Sequence, residues 1–136
     1  MARVKLKLNK QSITMHVGNM ATQSARNAAE RTKLRVQSNI ARKGRIHTGK
    51  MHDSIRVTKL KSSRPMRPRF TVASHLKYTK FQEAGVRPFG PKRAKFLRFQ
   101  PKFSNTFVFA KRVRGFPPGN FFRDALKQLQ RKDFHP

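Results

Sequence analysis

Residues 44–60, GRIHTGKMHDSIRVTKL, decide how this chain reads. A long span of helical periodicity precedes them, and only short strand-like alternations follow for some way. Gly44 and Gly49 mark the stretch as a loop. Thr48 is placed to cap a short helical turn, Gly49 permits the tight entry, and Asp53-Ser54-Ile55 leads into a strand. Met51 and Ile55 stand four apart, so both can pack one face under the preceding helix. The stretch also spells GRIHTGK, which meets the GxxxxGK spacing of a phosphate-binding loop. Such a loop follows a strand and next needs Ser or Thr for its metal; here a helix comes first and Met51 is next. The reading is therefore mechanical, a junction between two kinds of structure.

Toward the N-terminus, Val4, Leu6 and Leu8 alternate with Arg3, Lys5 and Lys7, the period of a short strand. Ser12 is read as the cap of a helix reaching about Lys43, with Gly44 as its stop. Ile13, Val17, Met20, Ser24 and Ala28 form one apolar stripe along it. Ala25, Ala29, Thr32, Val36 and Ile40 form a second, about a third of a turn round. Either the helix bends near Glu30, or it serves its own sheet and a neighbouring subunit, or it has one wide apolar face.

Toward the C-terminus, Ile55 and Val57 begin a strand that fades into the loop SSRPMRPR, and Phe70, Val72 and Ser74 make its antiparallel partner. Tyr78, Phe81 and Gln82 fit a short helix ending at Gly85, before the Pro-containing turn VRPFGP. Ala94, Phe96 and Phe99 pair as a hairpin with Phe107, Phe109 and Val113 through PKFSN. A Gly/Pro break at Gly115–Asn120 precedes a last helix, Phe121 to about Arg131, with Phe122, Leu126 and Leu129 as its buried face. The predicted fold is α+β: a long N-terminal helix packed on a small antiparallel β-sheet, with a β-hairpin and a short C-terminal helix. It is read as one domain, 1–136, made of strand and helix (1–43), sheet region with hairpin (44–114), and turn and helix (115–136).

Charge limits the function classes. Thirty-three Lys and Arg against five Asp and Glu give +28, spread along the whole sequence. A free chain with that field repels itself at every face, so an anionic partner is expected, either nucleic acid or an acidic protein. With no Cys there is no disulfide or thiolate metal site. No apolar run nears the roughly 18 residues of a membrane span, and MARVKLKLNK lacks a signal peptide's apolar core. A soluble chain made in the cytosol is expected, with no membrane role.

Catalytic chemistry finds little material. Glu30, Asp53, Glu83, Asp124 and Asp133 are the only carboxylates, each read as a cap or a counter-charge. His16, His47, His52, His75 and His135 show no metal-ligand spacing. The expectation is no enzyme, no cofactor and no metal. Basic residues interleave with aromatics in KRAKFLRFQPKF (92–103) and FVFAKRVRGF (107–116). If exposed, those rings could stack on unpaired bases. Alternation is instead read as turning Phe96, Phe99, Phe107 and Phe109 inward, leaving a basic outer face that meets DNA without reading its sequence. Lys92, Arg93, Lys95, Arg98, Lys111, Arg112 and Arg114 are its candidate residues.

The order of these segments resembles a known family. Thr48-Gly49-Lys50-Met51-His52-Asp53-Ser54-Ile55 is similar to the TGxLxxSI signature of the small head–tail joining, or tail-completion, proteins of long-tailed bacteriophages. There too it follows a long helix and leads into a strand. Tyr78 and the Glu83-Ala84-Gly85 element resemble the family's next two features, although the family usually has an aromatic between the acid and the glycine. Lys95–Phe99 and Val108–Val113 resemble a basic LRF hairpin found in some members. Gly115–Asn120, Phe121-Phe122 and Arg123–Leu126 are similar to its closing turn, aromatic and helix. Arg45-Ile46-His47 stand where a proline usually precedes the TG pair.

The resemblance implies a structural virion protein of the phage neck, made in the host cytoplasm and without catalysis. Such proteins form homo-oligomeric rings, commonly hexamers, against head-closure or connector proteins on one side and tail-terminator or tail-tube proteins on the other. The ring completes the tail end, and double-stranded DNA passes non-specifically through its basic lumen. A stand-alone basic nucleic-acid-binding protein, of ribosomal or packaging type, is the alternative that charge and size allow.

Overall fold

A 33-residue helix, α1 (Lys10–Arg42), supplies the long first element that the periodicity predicts. The computed structural model describes residues 9–44, 49–64, 66–101 and 104–135; the expected strand at Val4, Leu6 and Leu8 and the Thr48 cap lie outside the described residues. The α1 cap is Asn9, one turn earlier than the Ser12 expected from the sequence. Its side-chain oxygen accepts from the backbone N–H groups of Gln11 (3.1 Å) and Ser12 (3.3 Å). Asn is at least as good a cap as Ser, and the earlier start adds helix hydrogen bonds. At the other end Gly44 takes φ +63°, the left-handed conformation that stops a helix cheaply only at glycine.

The described chain forms two compact units, residues 9–75 with 121–135, and Leu76–Asn120. In the first, Val36 and Ile40 of α1 meet Met51 of the short helix α2 (Lys50–Asp53), Ile55 of strand β1 (Ile55–Lys59), and Phe121 and Ala125 of the last helix. Gly49 stands at the α2 cap with φ +72°, which explains the tight entry. The four-residue step from Met51 to Ile55 brings both into this core, as the spacing predicts. Buried Ser54 donates to the Met51 carbonyl at 2.7 Å and shares a 2.6 Å hydrogen bond with the Ser74 hydroxyl. It ties the helical turn to the far end of strand β2 (Phe70–Ser74).

β1 and β2 pair antiparallel, Ile55 opposite Ser74 and Lys59 opposite Phe70. Backbone pairing continues past the ladder, from Leu60 to Arg69 and between Arg64 and Arg67, so the basic loop is the tip of a long hairpin.

The first unit's last helix is α4 (Phe121–Lys127), which follows α3 (Lys77–Ala84) of the second unit in the chain. Its buried face corrects the expectation by one residue. Phe121 and Ala125 are fully buried, Phe122 is half-buried, and Leu126 is 61% exposed. Both sets have helical spacing; Ala125 is the small residue that lets α4 approach α1 closely. There Asn39 of α1 donates its amide to the Phe121 carbonyl at 3.1 Å and accepts from Arg42 at 3.0 Å. A 3-10 turn, Arg131–Phe134, closes the unit.

In the second unit α3 ends at Gly85 (φ +73°), where the sequence places its stop. The next segment is not the simple turn read from VRPFGP. Val86 pairs with Phe116 and Phe89 with Val113, so two extended stretches run antiparallel. The crossing is close: a Cβ on Gly115 would lie 1.9 Å from the Val86 carbonyl oxygen, and one on Gly85 2.6 Å from the Pro118 nitrogen. Gly119 and Asn120 donate their N–H groups to the Gln82 and Glu83 carbonyls, satisfying the end of α3. Between these stretches sits a hairpin of β3 (Leu97–Phe99) and β4 (Val108–Ala110), with Leu97 opposite Ala110 and Phe99 opposite Val108. The fold is α+β, with two separate two-stranded sheets. Among the described residues no helix is long and apolar enough to cross a membrane.

Candidate nucleic-acid interface

The residues nominated for DNA lie on the β3–β4 hairpin and the segments flanking it. Lys92, Arg93, Lys95, Arg98, Lys111, Arg112 and Arg114 are all exposed. Among the described residues none of them joins an ion pair with a carboxylate. The positive charge of this ribbon is therefore uncompensated locally, the condition for attracting an anion.

Its phenylalanines do not face a core. Phe96, Phe99, Phe107 and Phe109 are 44%, 44%, 48% and 62% exposed. The expectation of four inward rings fails on parity. Phe96 and Phe99 are an odd number of residues apart, and successive strand side chains point to opposite faces. Leu97 and Ala110 take the half-buried face of the ladder, with Phe99 and Val108 beside them at its end. Arg98 and Phe109, a directly opposed pair, hold the other face. Just beyond the ladder the same parity continues with Phe96, Phe107 and Lys111. The Arg98 guanidinium carbon lies 3.8 Å from the Phe107 ring centre, and the Lys111 ammonium 5.9 Å from that of Phe96. Cations and exposed rings thus alternate on one face.

A second basic feature was not singled out from the sequence. At the tip of the β1–β2 hairpin, Arg64, Arg67 and Arg69 surround an open hollow with Ser62. The signal was present as RPMRPR, in which the Arg64–Arg67 backbone pairing turns three arginines together. A short polar run reads only as a loop until the turn geometry is known.

Apart from Thr48, which lies outside the described residues, the residues read as structural fall in both units. Met51, Ser54, Ile55 and Phe121 join in the first unit's core region, while Glu83 and Gly85 meet the Gly115–Asn120 turn in the second. Phe122 flanks the core, and Tyr78 is exposed on α3. Among the described residues Asp133, Asp124 and Glu30 pair with arginine or lysine, and Asp53 with a histidine. Asp133, buried, is gripped by both Arg35 guanidinium nitrogens at 2.7 and 2.8 Å and accepts from the Gln130 N–H. The Arg35 hydrogen bonds, chiefly, hold its pKa down at about 2. Arg31 reinforces the corner through the Lys132 carbonyl. Asp124 in the first turn of α4 binds the Lys43 ammonium at 2.6 Å, which lowers its pKa. Glu30 faces Lys33, and Asp53 meets His52. Among the described residues no three His, Asp or Glu are grouped to hold a metal ion.

The first unit also exposes apolar surface among its described residues. Ala25, Ala28 and Ala29 of α1 line an open groove of about 420 Å³ with Phe122, Leu126 and Leu129. Two turns nearer the N-terminus, Ile13, Val17 and Met20 of the first stripe are exposed. Along α1 the second stripe is buried from Ala29 to Ile40, and the first is exposed at Ile13, Val17 and Met20 over its N-terminal half.

No family model matches the chain, and neither a curated protein nor a solved structure does.

Proposed function

We propose that the chain is a structural subunit of a bacteriophage neck. In this reading it forms a homo-oligomeric ring, hexameric by the resemblance, between head-closure or connector proteins and tail-terminator or tail-tube proteins. Double-stranded DNA passes through its basic lumen. The observation that carries the reading is that, among the described residues, one small chain exposes two kinds of surface. The Leu126 groove and the Ile13–Met20 stripe are apolar and suit protein neighbours, whereas the hairpin is basic and suits an anion. A surface stripe and a groove on the same molecule, different from each other, are what a head-to-tail ring contact requires. DNA, or acidic neighbours, would offset the repulsion among copies each carrying +28. The order of the four sequence motifs adds the family-level support.

The test is composition and assembly. Mass spectrometry of purified particles, from the virus whose genome carries the gene, should detect the protein at a few copies per virion. Native mass spectrometry with duplex DNA or tail-end proteins should detect a closed ring. Leu126→Asp should leave the monomer folded and abolish the ring. Absence from particles, or a monomer under every such condition, overturns the proposal. Neutralising Lys92, Arg93 and Lys95, or Lys111, Arg112 and Arg114, should slow DNA ejection or weaken assembly. If both variants behave as wild type, the lumen assignment falls. The stand-alone nucleic-acid-binding reading is favoured by the exposed aromatic–cation face alone, and in a ribosomal form it predicts co-sedimentation with ribosomes.

A further inference from the structure

We infer that the β3–β4 hairpin binds single-stranded polynucleotide, stacking unpaired bases on Phe96, Phe109 and the Arg98–Phe107 pair. A surface that only tracks phosphates needs cations and no rings. Yet the most exposed phenylalanine of the hairpin, Phe109, stands directly opposite Arg98 in the ladder. An exposed benzyl ring has no donor or acceptor to offer a phosphate, and in a duplex the base faces are already covered by one another. Unpaired bases present both a flat face for the ring and a phosphate for the neighbouring cation. Arg98 adds a planar guanidinium already laid against Phe107 at 3.8 Å. Phe107 immediately precedes β4 and Phe109 lies within it, two residues apart or about 7 Å in extended chain, room for successive splayed bases. An acidic polypeptide would satisfy the cations but supplies no flat group at each step.

The inference gives the hairpin a ligand other than the duplex of the lumen reading, and the ring proposal does not depend on it: a hairpin that holds duplex and ignores bases leaves a neck ring intact. Fluorescence anisotropy of the full chain would use four labelled probes: 20-nucleotide oligo-dT, oligo-rU, an abasic strand of the same length, and a 20-base-pair duplex. Each stacked base is worth about 5- to 160-fold in affinity, so oligo-dT or oligo-rU should exceed the abasic strand at least tenfold. Whichever of the two binds tighter names the source as DNA or RNA, and equality means that the 2′-hydroxyl is not read. The Phe96→Leu/Phe109→Leu double variant keeps exposed apolar area but loses the flat rings. It should remove most of that advantage while abasic and duplex affinities stay within twofold, with an unchanged circular dichroism spectrum. Abasic binding equal to oligo-dT overturns the inference, as does a variant that weakens all four probes alike. Competition by poly-glutamate as effective as by oligo-dT also overturns it, and assigns the face to an acidic protein.

Discussion

Replacing Phe121 by Ala should cost nearly all the stability of the first unit, whereas the same change at Phe122 should cost little. Phe121 is fully buried among Val36, Ile40, Met51, Ile55 and Ala125. Removing its ring forfeits about 2 kcal/mol of transfer free energy. A cavity on the order of 100 Å³, at about 24 cal/mol per Å³, adds about 2.4 kcal/mol if the walls do not collapse. The Lys43 ammonium, 5.7 Å from the ring centre, loses a contact worth about 0.5 kcal/mol. The sum, about 4–5 kcal/mol, approaches the whole stability of a small domain. Phe122 sits half-buried at the groove, so its truncation should cost about 1 kcal/mol. Urea unfolding followed by far-ultraviolet circular dichroism separates the two. At slopes near 2 kcal/mol per molar, Phe121→Ala should lower the midpoint by about 2 M and Phe122→Ala by about 0.5 M. Equal shifts, or a larger one at Phe122, would mean that α4 packs through the other face and would refute the assignment.

The other expectations rest on single contacts. Asp133 has a folded pKa of about 2 against an ordinary 3.8, so its stabilisation is complete above about pH 4 and disappears as pH falls toward 2. Asp133→Asn should lower the melting temperature at pH 7 and flatten its decline between pH 4 and 2; an unchanged acid limb contradicts the role given to the Arg35 grip. Gly115→Ala should destabilise the second unit by about 1–3 kcal/mol, because its Cβ meets the Val86 and Arg87 backbone. Hydrogen exchange at Val86, Phe89, Val113 and Phe116 should accelerate, and unchanged protection there counts against the crossing. Ile55→Asp should prevent folding, as judged by solubility and circular dichroism, while exposed Lys50→Ala should stay within about 0.5 kcal/mol of wild type. A large effect at Lys50 would reopen the phosphate-loop reading.

What could be read from sequence was what the chain decides locally. The α1 stop at Gly44, the α3 stop at Gly85 and the tight entry at Gly49 all need positive φ, which glycine supplies. The β1–β2 register follows the period-two pattern of Ile55-x-Val57 and Phe70-x-Val72-x-Ser74. Choices settled by distant partners were not legible. Asn9 and Ser12 are both competent caps. The Asp133–Arg35 fork joins residues 98 apart, and nothing near either one announces the other. The charge of the hairpin was plain from composition, and its seven nominated cations are indeed exposed. The arginine hollow at Arg64, Arg67 and Arg69 needed the turn.

The two failed burial assignments share a cause, and it bears on function. Phe122, Leu126 and Leu129 have impeccable helical spacing, and the hairpin phenylalanines sit in alternating runs, yet Leu126 and Phe109 are more than half exposed. Periodicity reports that a face is apolar; it does not say whether the chain's own core or another molecule covers it. With 36% apolar residues, this chain closes its first unit's core with Val36, Ile40, Met51, Ile55, Phe121 and Ala125 and leaves many of its other apolar side chains exposed. Exposed apolar side chains cost solubility that a large net charge can sustain. On the proposals made above, the Leu126 groove is covered by a neighbouring copy and the Phe109 face by unpaired bases. Substituting either face should then spare the fold and remove one association only. That selectivity separates surfaces held for partners from a core that is merely underpacked, because an underpacked core would lose stability at both places.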